Sequence, residues 1–261
     1  MTDNLYQMNP QERFSDRAED YAKYRPSYPP KAIDSILKGL SVPSQLIAAD
    51  IGAGTGISSR LLADRGVQVI AIEPNAAMRQ AAKPHSLVKF QDGNAENTKL
   101  ENNSVDLVTC FQAFHWFNPE PTLQEFARIL KPKGTIALVW NERDTDGDDE
   151  FTCQHDRIIT QASQNNPIHN RLGGKSDSFI NSLFPIVNHF IFPYRQAMTK
   201  ERLIGLALSA SYIPKVGEIY QQLVSNLTNL HQTYSDERGL VDLQYKTSVY
   251  LTSLIASTNH V

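Results

Sequence analysis

The sequence predicts an α/β fold, a mostly parallel sheet with helices on both faces. Three observations predict it. Leu46 to Ala49 is an apolar run that stops at Asp50 and passes into the Gly52-Ala53-Gly54-Thr55-Gly56 turn, after which Ile57, Leu61 and Leu62 recur at helical spacing. A second apolar run, Val67 to Ile72, closes at Glu73 and again leads into a helical segment, with Pro74 near its start. Apolar runs and amphipathic segments keep alternating as far as Trp140, the pattern of strands joined by crossover helices.

The first turn carries no Cβ at Gly52, Gly54 or Gly56 to obstruct a ligand, and backbone N–H groups at the following helix start would face what it holds. A dinucleotide turn reads GxGxxG. Here the pattern is GxGxG, Ile57 fills the third-glycine slot, and Asp50 just ahead of the turn would repel a pyrophosphate and attract a cation. Glu73, at the end of the second strand, can accept hydrogen bonds from both ribose hydroxyls. An adenosine-bearing ligand with a positive amino acid tail satisfies both carboxylates.

With DIGAGTG, the Glu73 strand end, GNAE at 93–96, SVDLVTC at 104–110 and ARILKPKGTIALVW at 127–140, the chain resembles the class I S-adenosylmethionine-dependent methyltransferases over residues 10–145. The resemblance implies a Rossmann-like seven-stranded sheet of order 3-2-1-4-5-7-6 with strand 7 antiparallel. It also implies a cofactor-binding core at 46–140, an N-terminal helix at 10–30 over the cofactor pocket, and a helical lid at 151–229. S-adenosylmethionine is the implied cofactor, gripped by Asp50, Gly52, Ala53, Gly54, Gly56 and Glu73.

A single domain accommodates the 261 residues, and 41% hydrophobic content suffices for a packed core. A formal charge of -3 with no Lys/Arg block gives no reason to expect nucleic acid as partner. Cys110 and Cys153 lack metal-ligand spacing and suit a reducing compartment. The polar N-terminus and the absence of any apolar stretch of about eighteen residues point to a cytoplasmic protein that does not cross a membrane. Oligomeric state is not legible.

In chain order, residues 1–13 are polar, and Phe14 to Tyr24 forms an amphipathic helix with Phe14, Ala18, Tyr21 and Ala22 on one stripe. It ends at the proline-rich RPSYPP, and Lys31 to Leu40 is the next helix. By the resemblance, Tyr24 and Arg25 approach the methionine carboxylate of the cofactor; a surface ion pair is the other reading of Arg25. Met78, one turn past Glu73, lies against the adenine or fills the core. After the third strand, Leu87 to Gln91, the GNAE loop is implied to run along the adenine edge. There Asn94 replaces the family's aspartate but can still accept the exocyclic amine, and Ala95 offers its backbone N–H.

Val105 to Cys110 is the fourth strand, and the Phe111–Phe117 loop at its carboxyl end lines the methyl-transfer channel, with Phe111 on the cofactor side and Trp116 toward the acceptor. His115 is the candidate base; the alternative is a structural hydrogen-bonder. FQAF is not the Asn/Asp-Pro-Pro-aromatic tetrapeptide of enzymes that methylate exocyclic nitrogens, which argues against nucleic acid. The carboxylates of NERDTDGDDE at 141–150 lack a calcium-loop spacing, so no metal is expected.

Pro121 to Leu130 is a helix ended by KPKG, and Thr135 to Trp140 the fifth strand. Beyond it, Phe151 to Ser163 reads as a helix, Gln164 to Ser178 as a polar connection, Ile186 to Tyr194 as a strand, Lys200 to Ala210 and Val216 to Asn229 as helices, and Leu240 to Leu251 as the last strand. Tyr212 either reaches the acceptor from the lid or packs within it. The implied reaction is methyl transfer to a small molecule, an oxygen nucleophile such as a carboxylate being favoured by the RP.YP start. The rivals are an inactive cofactor-binding regulator and an NAD-dependent oxidoreductase.

Overall fold

The computed structural model describes Tyr6, residues 15–164, Asn166, Asn181, Leu183, Phe184 and residues 187–253. The expected start of the first helix at Phe14, and most of the polar connection after Gln164, lie outside these residues. Strands β1 (Ile47–Ile51), β2 (Gln68–Ile72), β3 (Val88–Gln91), β4 (Val105–Phe111), β5 (Leu130–Arg143), β6 (Asn188–Met198) and β7 (Val241–Thr252) form one seven-stranded sheet of order β3-β2-β1-β4-β5-β7-β6. Strand β7 runs antiparallel to both its neighbours, and the other pairings are parallel. Fold class and strand order are those expected.

Side-chain alternation along the strands divides the core into two layers. On β5, Ile136, Leu138 and Trp140 join Ala49, Ile51, Phe126 and Ile129 on one face. Ala137 and Val139 join Ala48, Ile33, Ile36 and Leu62 on the other. The first face is covered by α5 (Pro119–Ile129) and the second by α2 (Pro30–Leu37) and α3 (Ile57–Ala63), after α1 (Ala18–Tyr24). Between β2 and β3 sits the short α4 (Ala76–Gln80), capped by the Asn75 side chain.

A third cluster joins α6 (Glu150–Ala162), α7 (Lys200–Leu208) and α8 (Glu218–Tyr234) to the start of β7 through Phe151, Ile159, Leu206, Leu227 and Leu243. Several spans shift by a few residues from expectation, including α2, which ends at Leu37 rather than Leu40, and three of the shifts have identifiable reasons. Strand β5 starts at Leu130, ahead of Thr135, because Leu130 already pairs with Val105 and the register shifts between there and Leu107. Strand β6 runs to Met198, not Tyr194, because β7 pairs with it all the way to Met198↔Val241. Helix α8 continues to Tyr234 because Leu230 and His231 remain buried on its inner face. No helix among the described residues is long and apolar enough to cross a membrane.

Candidate functional site

The strand order reverses between β1 and β4, so the loops leaving their carboxyl ends diverge and leave a crevice. A cavity of about 560 Å³ occupies it. Its floor is the turn after β1. Gly52, Gly54 and Gly56 all have left-handed φ, at 69°, 57° and 72°. The N–H groups of Gly52 and Ala53 both donate to Ile72 O, at 2.9 and 3.1 Å, which fastens the turn to the end of β2. A Cβ at Gly52 would stand 2.7 Å from Ala113 Cβ, so the loop after β4 could not pack down on it. A Cβ at Gly54 would instead project between Tyr21 and Met78, two residues that line the cavity.

Glu73 forms one wall. Its Oε2 accepts from Gly54 N and its Oε1 from Asn75 N, both at 2.9 Å. Burial pushes this carboxyl up, while the two backbone donors pull it down. Each oxygen keeps a lone pair for a further donor. Helix α1 contributes Tyr21, the loop after β3 contributes Asn94, Ala95 and Glu96, the end of β4 contributes Phe111, and the loop after it contributes Gln112, Trp116 and Phe117. The described lining holds two carboxylates, Glu73 and Glu96, and no lysine or arginine. A cation therefore suits it better than an anion.

A smaller annex shares Tyr21, Gly52, Phe111 and Gln112 with this cavity and has Arg25 in its wall. The Arg25 guanidinium lies 4.9 Å from the Tyr21 ring centre and donates to Ser209 O, but its buried Nε has no acceptor. An acidic, aromatic main chamber thus adjoins a smaller space with an arginine in its wall.

Residues 49–138 match a family described as a methyltransferase domain. An uncharacterized methyltransferase-like protein of Schizosaccharomyces pombe is 32% identical over 216 residues, covering 78% of this chain and 80% of that one. The chain belongs to the class I S-adenosylmethionine-dependent methyltransferases. An uncharacterized methyltransferase of Mycobacterium tuberculosis is 42% identical over 127 residues; the chain spans about half of that relative's length, 50%. A solved structure from Anaeromyxobacter dehalogenans shares this methyltransferase fold with a TM-score of 0.65 at 21% identity, over 87% of this chain and 97% of that one.

The methyltransferase fold gathers Gly52, Gly54, Glu73, Met78, Asn94, Ala95, Phe111 and Trp116 around the main cavity, and Ala53 and Arg25 around the annex. The Asn94 side-chain oxygen accepts from Asn97 N at 2.7 Å, so it closes its own turn as well as facing the cavity.

Five expected contacts need correction. Asp50 is fully buried behind the turn and does not line the cavity. Alternation on β1 aims it away from the face of Ala49 and Ile51, and the hydroxyls of Ser58, Ser59 and Thr109 donate to it at 2.6, 2.6 and 2.8 Å. It ties α3 to β1 and β4 and shapes the cradle from behind. Gly56 likewise faces away, where a Cβ would meet Phe90 Cζ at 2.7 Å. Tyr24 points to α7, with its ring against Gly205 and its hydroxyl donating to Glu201.

His115 does not line the cavity: its Nδ1 accepts from Trp140 Nε1 at 3.2 Å, and burial lowers its pKa to about 3. With its acceptor nitrogen spent on an indole and its basicity lowered, this ring acts as a structural hydrogen-bonder rather than as the expected base. Tyr212 packs against the α6–α8 cluster and lies outside the cavity.

Tyr6, Tyr21, Pro74, Asn75 and Asn118 line the cavity without having been expected there, while Glu96 and Gln112 join it from loops that were expected at the site but in which neither had been singled out. Tyr21 was visible as part of a helical stripe, but not which way the stripe would turn. Gln112 has a left-handed φ of 53°, and its amide donates to Asn141 O at 2.6 Å. A non-glycine residue in that conformation leaves no sequence mark.

Proposed function

We propose that this chain transfers a methyl group from S-adenosylmethionine to a small-molecule acceptor, with an oxygen nucleophile such as a carboxylate favoured. The carrying observation is the Glu73 carboxylate, held by the N–H groups of Gly54 and Asn75 on the wall of a 560 Å³ cavity at the strand reversal. A cavity of this size lies within the usual range for small-molecule sites. In this reading Glu73 takes the ribose hydroxyls, Met78, Asn94 and Ala95 border the adenine, and Gly52 and Ala53 run beneath the methionine arm toward Arg25. The unpartnered Arg25 Nε supports a carboxylate in the annex.

When bound, S-adenosylmethionine supplies an electrophilic methyl on a sulfonium, which needs no protonation to leave. The chain's own contribution is then alignment and exclusion of water. Phe111, Trp116 and Phe117 shield the chamber, and aromatic faces favour a cation. With His115 neutral and turned away, the nucleophile best served is one already ionised at neutral pH, which supports a carboxylate. The residues from Phe151 to Asn229 would act as the lid, and the reaction would take place in the cytoplasm.

Calorimetry with S-adenosylhomocysteine tests the cofactor half. Micromolar binding is expected, weakened about tenfold or more in Glu73→Ala through loss of charged hydrogen bonds; millimolar binding by the unaltered chain overturns it. In a labelled-methyl assay on small acids, His115→Gln is expected to keep most of the activity. A loss beyond about a hundredfold would restore His115 as a base.

A further inference from the structure

We propose that Arg143, Arg202 and Tyr245 form a second site, for an oxyanion, and that it holds the carboxylate or phosphate of an acidic acceptor; the acceptor part of this rests on the methyl-transfer reading. Arg143 pairs with Tyr245 across β5 and β7, and Tyr245 pairs with Tyr194 across β7 and β6. Residues in direct register project from the same face, so the three form one row on the sheet. Phe151 and Ile159 of α6 and Leu203 and Leu206 of α7 share one hydrophobic cluster with Tyr245, which brings their helix neighbours His155 and Arg202 close to the row. Burial pushes the Tyr245 hydroxyl up to about 12, and the guanidiniums of Arg143, Arg25 and Arg202 act on it in the opposite direction. The register sets Arg143 beside Tyr245, and the other two guanidiniums lie near enough to act on its hydroxyl.

Their partners are too few. Among the described residues, the one ion pair these arginines make is Arg143 Nε to Asp156 Oδ1, at 2.6 Å. Arg202 Nε, the Tyr245 hydroxyl and both ring nitrogens of His155 are buried without any hydrogen-bond partner. Tyr245 is 4% exposed and His155 1%. Buried donors normally find acceptors, and clustered guanidiniums repel one another unless an anion lies between them. A planar oxyanion takes two parallel N–H donors from an arginine and a third from a phenol.

The position fits an acceptor. Asn141 lies two residues before Arg143 on β5, about 7 Å along the strand, and its carbonyl accepts from Gln112, which lines the main cavity. An acid anchored at Arg143 would thus have its remaining length directed toward the chamber proposed for the methyl donor.

The test uses the full chain without cofactor, at constant ionic strength, titrated in separate arms with succinate and with inorganic phosphate while its melting temperature is read. A saturable rise is expected with at least one anion, and the responding arm identifies carboxylate or phosphate chemistry. Tyr245→Phe removes a hydroxyl that has no partner, so the free variant should melt at or above the parent's temperature. Its anion affinity, like that of Arg202→Gln, should fall about tenfold. No saturable rise in either arm, or parental affinity in both variants, overturns the site. If S-adenosylhomocysteine fails to bind while the anion titration saturates, the cofactor reading falls and this site stands; the converse result removes this site alone.

Discussion

Single residues in the first turn do separate jobs that their common glycine identity hides. Gly52 makes room for Ala113, Gly56 makes room for Phe90, and Gly54 opens onto Tyr21 and Met78 at 3.6 and 3.9 Å, ordinary contact distances. An alanine at 54 therefore meets no clash but must hold a φ of 57°. The strain is about 1–2 kcal/mol. Gly54→Ala should remain folded, with a melting temperature lowered by a few degrees, about 2–4 °C per kcal/mol for a chain of this size. Its loss of S-adenosylhomocysteine affinity should exceed what that strain accounts for, because the new methyl group enters the chamber. Paired melting and calorimetry decide the matter: unchanged affinity would mean that the chamber is not where the nucleoside lies. Asp50 teaches the same lesson in reverse. Its presence before the turn was legible, but its aim was not, because the three hydroxyls that hold it come from α3 and β4 and meet it only in the folded chain.

At the scale of elements, the loop carrying Asn94 and Ala95 is held by a clasp the sequence did not advertise. Glu125 on α5 accepts from Thr98 N at 2.8 Å, from the Thr98 hydroxyl, and from Arg128. Burial alone would raise this carboxyl, but Arg128 and Thr98 outweigh it and hold it at about 2, against an ordinary 4.5. A depressed folded pKa means that the stabilisation is present above pH 4.5 and is lost as pH falls toward 2. Glu125→Gln should cost about 1–3 kcal/mol at neutral pH. It should also flatten the decline in melting temperature between pH 4.5 and 2. Parallel pH profiles for parent and variant would show that the clasp contributes nothing. The α5 amphipathic spacing was readable because it depends on neighbours three and four apart, whereas the clasp joins residues 27 apart.

Across the whole molecule, the N-terminal helix, which lines the cavity through Tyr21, holds on to the region inserted between β5 and β7. Arg17 Nη1 donates to Leu208 O and Ala210 O at 2.8 and 2.5 Å, and Arg25 to Ser209 O. Two arginines thus cap the carboxyl end of α7, where unpaired carbonyls and the helix dipole favour a cation. Tyr21, which lines the chamber, rides on the helix between them. Arg17→Ala should speed amide hydrogen exchange in Ala18–Tyr24 and Lys200–Leu208 while leaving β1 and β4 protected, and should weaken S-adenosylhomocysteine binding. Exchange unchanged in both helices would show that the clamp is dispensable.

The sequence by itself determined the order of strands and helices and the glycine turn with its flanking carboxylates. Through family resemblance it also determined the sheet order. Such features rest on local periodicity and on backbone conformations that few residue types tolerate. Tertiary structure alone decided which side chains face the chamber: it turned His115 to Trp140, Tyr24 to Gly205 and Asp50 to α3, and brought Tyr21, Gln112 and the Arg143–Tyr245 row into place. The physical reason is that a side chain's partner in these cases lies on another element. Its direction is settled by packing and by competition for buried hydrogen bonds, which no short stretch of chain encodes.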